Sequence, residues 1–142
     1  MVIVDSTVWV DYFTGLHNLE TDWLDVQLDM QRLGLSALGS GLSGLAHDDH
    51  QVRGVAGRSR RTTSRGGGDE LSKLEVLEMY SVALAVQAAK NYRMLRGRGR
   101  TVRKTIDVLI ATFCIEQQHS LLHLDRDFDP FEEFLGLSVV HP

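Results

Sequence analysis

The chain has one cysteine in 142 residues, Cys114. That excludes an intramolecular disulfide and any cysteine metal cluster. No run of eighteen apolar residues occurs, so no segment reads as a membrane span. No basic start followed by a long apolar stretch follows Met1, so no secretory signal is expected and a reducing cytoplasm is the expected setting. There is no glycine-rich phosphate loop and no G-x-S-x-G nucleophile motif. Positive charge is not in excess: the formal net charge is −4, so only local patches can mark a nucleic-acid binder. Two further gaps are local. No aromatic residue lies between Trp23 and Tyr80, and no glutamate lies between Glu20 and Glu70.

What is present is ordinary for a globular protein. Apolar residues make up 43% and charged residues 24%, enough for one domain over 1–142 with a core. "MVIVDSTVWVDYF" opens as a short buried strand over 1–5 and a helix over 7–13. The spacing of Trp23, Leu24, Leu28 and Leu33 predicts an amphipathic helix over 20–33, capped by Thr21 or Asn18. From 39 to 68 the character changes. That stretch holds 8 of the 13 glycines, too little apolar bulk to offset its ordering entropy. It is expected to be irregular, with a weak helical piece near 42–55.

Regular patterning then returns. "LEVLEMY" (74–80) reads as a strand, and 81–99 as a helix capped by Ser81 and ended by Gly97 or Gly99. Thr105 is the expected cap of a helix over 106–119. "SLLHLD" (120–125) reads as a buried strand. Residues 130–136 read as a short helix with Pro130 in its first turn and Gly136 past its end, and 137–142 as a last strand. Strands alternating with helices predict an α/β fold with a mainly parallel sheet.

In such a sheet, ligands gather at the carboxyl ends of the strands. Asp5 and Asp125 each end a predicted strand, and Asp107 falls in the first turn of a predicted helix. Taken singly, each has an ordinary explanation: a helix cap, a turn former, a first-turn acid. Taken together, they are three acids from distant segments that one sheet edge would assemble. Two carboxylates about 5 Å apart repel by roughly 3 kcal/mol at an effective dielectric of about 20. Such a cluster needs a proton or a divalent cation, and an oxygen-only donor set suits magnesium or manganese. A cation held there serves phosphodiester hydrolysis.

These segments also carry a resemblance. "IVDSTVWVDYF", "TVRKTIDVLIATFC" and "LLHLDRDFDPF" resemble, in that order and spacing, the motifs of PIN-domain proteins of the VapC toxin type. The match spans 1–36 and about 70–142. It implies a PIN-like three-layer sandwich and a magnesium- or manganese-dependent endoribonuclease. It also implies a homodimer and neutralisation by a VapB-type antitoxin. It assigns the metal and catalytic acids to Asp5, Asp107 and Asp125. Thr7 takes the place of the hydroxyl that braces the first acid, and Asp127 that of a supporting acid.

The chain departs from the family pattern at one point. The family carries a further acid, normally glutamate, soon after residue 36, and the glutamate-free interval covers that position. Asp48 and Asp49 do not match its context. A compensated reading-frame slip in the gene would produce both the gap and the intact flanks. The other two frames of the coding DNA test this, since one of them should encode a helical segment with a glutamate. Loss of this acid predicts impaired cleavage, and the rival reading is a PIN-like module that binds antitoxin or RNA without turnover. A phosphoacceptor receiver or aspartate phosphatase fits poorly, because "VDSTV" has neither paired acids nor Asp-x-Asp.

"RGRGRTVRK" (96–104) places five positive charges in nine residues just before Asp107. Arg100, Arg103 and Lys104 are its candidates for meeting RNA phosphates, beside the plainer reading of a solvated loop. His47, His50 and His123 form no ligand pattern. His123 alternates with Leu122 and Leu124 and is expected as a satisfied sheet residue, and Cys114 as core.

Overall fold

The computed structural model describes residues 1–29, 35–38, 75–77, 79 and 81–142. The irregular stretch at 39–68, its weak helical piece, Asp48 and Asp49 lie outside the described residues. Five strands form the sheet: β1 (Val2–Val4), β2 (Leu35–Leu38), β3 (Glu75–Leu77), β4 (Ser120–Leu122) and β5 (Ser138–Val139). Among the described residues five helices accompany them: α1 (Ser6–Thr14), α2 (Leu19–Asp29), α3 (Val82–Gly97), α4 (Thr105–Glu116) and α5 (Asp129–Leu135). A 3-10 turn at Arg126–Phe128 leads into α5.

The strand order is β3-β2-β1-β4-β5, and every pairing is parallel. The expected parallel α/β sheet is therefore present. β1 is central, with Val4 level with Ala37 on one side and Leu122 on the other. The chain winds outward from β1 in one direction, then resumes at β4 on the opposite side. The β1/β4 junction is thus a topological switch point, where open α/β sheets form clefts.

Alternation along β1 and β4 builds three layers. Ile3 and Leu121 face a core with Leu84, Ala88 and Leu95 of α3, Val108, Ala111 and Cys114 of α4, and Phe131 of α5. Val4 and Leu122 face the opposite way, onto Val8 and Trp9 of α1 and Leu24 of α2. A period of two along each strand serves both sides. Among the described helices α4 is the most enclosed: six of its residues from Val108 to Cys114 are buried. Burial pushes the Cys114 thiol up to about 12, which leaves it an inert core group. Among the described residues no helix is long and apolar enough to cross a membrane.

The helix ends show why several boundaries were readable. Asn18 accepts the Thr21 N–H at 2.8 Å while Thr21 Oγ1 accepts the Asn18 N–H at 2.9 Å. Both candidate residues therefore take part in one reciprocal cap. Ser81 Oγ accepts from the Leu84 N–H at 3.0 Å, as expected for α3. Gly136 closes α5 at φ 76, a conformation that costs an L side chain.

Two expectations for α4 need correction. Thr105 is not its cap: it is the first helical residue, and Lys104 holds the cap position without a side-chain bond. The helix also stops at Glu116 rather than 119. Gln118 turns left-handed at φ 55, and the His119 N–H closes back onto the Cys114 carbonyl at 2.8 Å. Glutamine is not an obvious residue for that conformation, so the stop left no sequence signal. β4 likewise ends at Leu122, before the 3-10 turn that Asp125 caps.

Candidate metal centre

Asp5 ends β1 and caps α1. Its backbone is extended, at φ −68 and ψ 152. Its Oδ2 accepts the Thr7 N–H at 3.1 Å and the Thr7 hydroxyl at 2.5 Å. Thr7 thus bonds the Asp5 carboxylate through both its amide and its hydroxyl. The side chain is buried, and the Asp5 N–H donates to the Leu122 carbonyl at 2.9 Å. That bond ties the exit of β1 to the exit of β4.

Asp125 follows β4 by three residues. Its Oδ1 accepts the Asp127 N–H at 3.0 Å, a short-range turn bond that starts the 3-10 helix. This turn aims both Asp125 and Asp127 at the same place. Asp107 arrives from the first turn of α4 and is 4% exposed. One ligand oxygen from each of Asp107, Asp125 and Asp127 lies within 4.8 Å of the others. Asp5 is not in that group. Its charge nonetheless reaches Asp107 and raises that group's pKa.

Electrostatics separates the three acids. Burial, opposed by Lys104 and reinforced by Asp5, Asp125 and Asp127, pushes Asp107 up to about 6. Its Oδ2 is buried and has no hydrogen-bond partner. Asp125 is held below the usual carboxylate range, first by its hydrogen bond from Lys104 and then by the Asp127 N–H. Asp127 accepts the Arg103 main-chain N–H at 3.3 Å. Lys104 Nζ lies 2.6 Å from Asp125 Oδ2 and 3.9 Å from Asp107 Oδ2. That bond to Asp125, helped by the charge of Asp107, raises the lysine pKa.

The donor set is oxygen only. An orphaned buried carboxylate oxygen beside two more acids is the arrangement a hard divalent cation satisfies. The residues present therefore fit a hard divalent cation such as magnesium or manganese, through Asp107, Asp125 and Asp127, with the charge of Asp5 felt at Asp107. A cleft of about 520 Å³ opens beside them, lined by Thr7, Arg103, Leu124, Asp125, Arg126 and Asp127.

A chain of the crystal structure of VapBC2 from Rickettsia felis bound to a DNA fragment from their promoter is similar in structure to this one. The TM-score is 0.66 over 99% of this chain and 98% of that chain, at 14% sequence identity. The fold is PIN-like. No protein-family model matches the chain. At this identity the likeness extends to the path of the backbone, so the roles of side chains in the PIN-like fold rest on their own geometry.

Other candidates fall in different places. Arg103 lines the cleft. Arg100 turns away from it, bonding Glu133 at 3.2 Å and lying 5.7 Å from the Phe134 ring, which Arg98 also covers at 5.0 Å. His123 falls just after β4 rather than within it; its ring rests 4.8 Å from that of Phe128, and burial lowers its pKa.

Sequence reasoning missed two features. Arg126 borders the cleft, and no acceptor pairs with its side chain among the described residues. Lys104 points into the acids rather than out toward a ligand. The signal for Arg126 was its place between two candidate acids. Lys104 had none, because residues 104 and 125 meet only through the fold.

Proposed function

We propose that this chain is a divalent-metal-dependent endoribonuclease, the toxin half of a VapBC-type toxin–antitoxin pair, with cleavage weakened by the missing glutamate. The observation that carries this reading is the buried Asp107 carboxylate, whose Oδ2 has no hydrogen bond and which has an oxygen within 4.8 Å of Asp125 and Asp127 carboxylate oxygens, set at the switch point of a PIN-like sheet. Asp107, Asp125 and Asp127 hold the cation, and Asp5, braced by Thr7, adds negative charge behind it. When bound, the cation lowers the pKa of a water and draws charge from a phosphate oxygen. Arg103 and Arg126 border the cleft and meet RNA phosphates. Lys104 serves the same strand, and Arg100 holds the loop against α5. The like-folded chain belongs to a VapBC2 complex, which supports a VapB-type antitoxin as partner. The homodimer is implied by the resemblance of the sequence motifs alone.

The test is cleavage of labelled single-stranded RNA by the purified chain, with and without magnesium or manganese. Slow, metal-dependent cleavage that Asp107→Asn abolishes is the expected result. Vigorous cleavage would remove the impairment from the reading. Retained cleavage in chelator would overturn metal dependence. Tight RNA binding with no cleavage in either metal would favour the rival non-catalytic module, to which the absence of glutamate between Glu20 and Glu70 also points.

A further inference from the structure

We propose that Lys104 is the resident counter-ion of the acid cluster, and that a divalent cation displaces its ammonium and hands it to an RNA phosphate. This rests on the metal-dependent reading above and adds to it a coupling between metal and substrate.

The contact is specific. The Lys104 ammonium faces Asp125 Oδ2 at 2.6 Å and Asp107 Oδ2 at 3.9 Å. Asp107 and Asp125 are two of the three acids that come together. A cation held by them needs oxygens that the ammonium now faces, and two positive centres at one carboxylate repel. A dication cancels more of the cluster's charge than an ammonium does, so the Coulombic part of the exchange favours it. It is also cheap. The Lys104 side chain is 55% exposed, so leaving the acids buries nothing new. Its residue caps α4 without a side-chain bond, so the helix start does not depend on where the ammonium lies. Four rotatable bonds let it swing while the backbone stays in place.

The released charge has a destination. Arg103 and Arg126 border the adjoining cleft, and neither side chain has an ion-pair partner among the described residues. A third positive group joining them makes the cleft a better phosphate site after the metal binds than before. The lysine therefore shields the acids without metal and serves the substrate with it.

The experiment compares the full chain with Lys104→Met and Arg103→Met. Arg103→Met removes the same charge one residue away without touching a carboxylate through its side chain. Manganese affinity is read by calorimetry. Affinity for an RNA analogue that resists cleavage is read by fluorescence anisotropy at saturating manganese. Lys104→Met should bind manganese roughly fivefold more tightly, as loss of one partly exposed ion pair implies. Arg103→Met should shift it by less than about twofold, because its charge acts through screened solvent. Lys104→Met should also bind the RNA analogue several-fold more weakly once metal is saturating. A merely structural lysine would not move these two affinities in opposite directions. Unchanged or weaker manganese binding in Lys104→Met overturns the exchange, as does an equal gain in Arg103→Met. Unchanged RNA affinity at saturating metal overturns the hand-over. If no form of the chain binds manganese, the metal-dependent reading itself falls, and the exchange with it. Lys104→Gln repeats the comparison should the methionine variant fold poorly by circular dichroism.

Discussion

The main-chain N–H of Asp5 donates to the carbonyl of Leu122 at 2.9 Å. It carries the β1–β4 pairing one residue past β1 and fixes where both strands release the chain. Asp5 is sealed there by Thr7, and the turn at Asp125–Asp127 begins three residues after Leu122. α4 sets Asp107 beside this junction. The result is a buried acid that the surrounding polypeptide leaves without a hydrogen bond on Oδ2. Such a carboxylate, buried among other acids, costs the fold stability when it is ionised.

That cost predicts a more stable variant. Asp107 has its folded-state pKa raised from its ordinary 3.8 to about 6. Its contribution to stability is therefore fully present below about pH 4 and is lost as pH rises through about 6. The upper bound is about 3 kcal/mol, at about 1.4 kcal/mol per tenfold change in proton affinity. Asp107→Asn removes the ionisation. In chelator it should match the parent near pH 4 and exceed it by about 1–3 kcal/mol above pH 7. Asp125 acts in the opposite sense, stabilising above its ordinary pKa and losing that effect only in stronger acid, where its lowered value lies. Both proteins share that term. Urea unfolding at the two pH values decides, and an asparagine variant less stable at neutral pH would contradict the assignment.

The same raised value bears on the proposed cation. A dication needs Asp107 ionised, so metal affinity should be flat above about pH 7 and fall about tenfold per pH unit below about 6. Lys104 stays charged across this window, since its pKa is raised from 10.5. The trend is therefore not the lysine's. Calorimetric titration with manganese at several pH values reads it directly. Affinity that stays constant down to about pH 5 would show that Asp107 is not a ligand.

A second buried polar pair holds the site's helix in place. Asn91 Nδ2 of α3 donates to Thr112 Oγ1 of α4 at 3.0 Å, and Asn91 Oδ1 accepts from Gln87. Thr112 is fully buried and Asn91 nearly so. Thr112→Val keeps the shape and orphans the amide, which should cost about 1–3 kcal/mol. Asn91→Leu combined with Thr112→Val should recover part of that loss, because the buried amide is gone and the Gln87 amide it released is only half-buried and can turn to water. Urea midpoints of the single and double variants provide the check. A single variant within a few tenths of a kcal/mol of the parent would mean that water already serves the amide.

How much of this was legible depended on whether a residue's role is local. Asp5, Asp107 and Asp125 could be placed because each terminates or starts an element whose pattern spans only a few residues. The caps at Asn18, Thr21 and Ser81 were readable for the same reason. Three features escaped. Asp127 was expected only as a supporting acid; a 3-10 turn brings its carboxylate to those of Asp107 and Asp125, and a turn of three residues has no periodicity to read. Gln118 ends α4 through a left-handed backbone that its side chain does not favour. The Lys104–Asp125 bond joins positions 21 residues apart and exists only once α4 lies beside β4.

Arg126 offers a test of the cleft that leaves the acids intact. It borders the cleft between Asp125 and Asp127, its side chain is exposed, and no described residue pairs with it. Arg126→Gln should therefore leave the unfolding midpoint within about 0.5 kcal/mol of the parent. Its effect should appear in RNA binding. Each phosphate contact to a single strand adds about 0.7 to the slope of log affinity against log salt. Losing one should reduce that slope by about 0.7 and weaken binding at low salt alike for all sequences, because a phosphate contact carries no base information. Anisotropy titrations of two unrelated RNA oligonucleotides over a salt series measure both quantities. An unchanged slope would place the RNA elsewhere on the molecule. A loss confined to one oligonucleotide would make Arg126 a reader of bases rather than of the backbone.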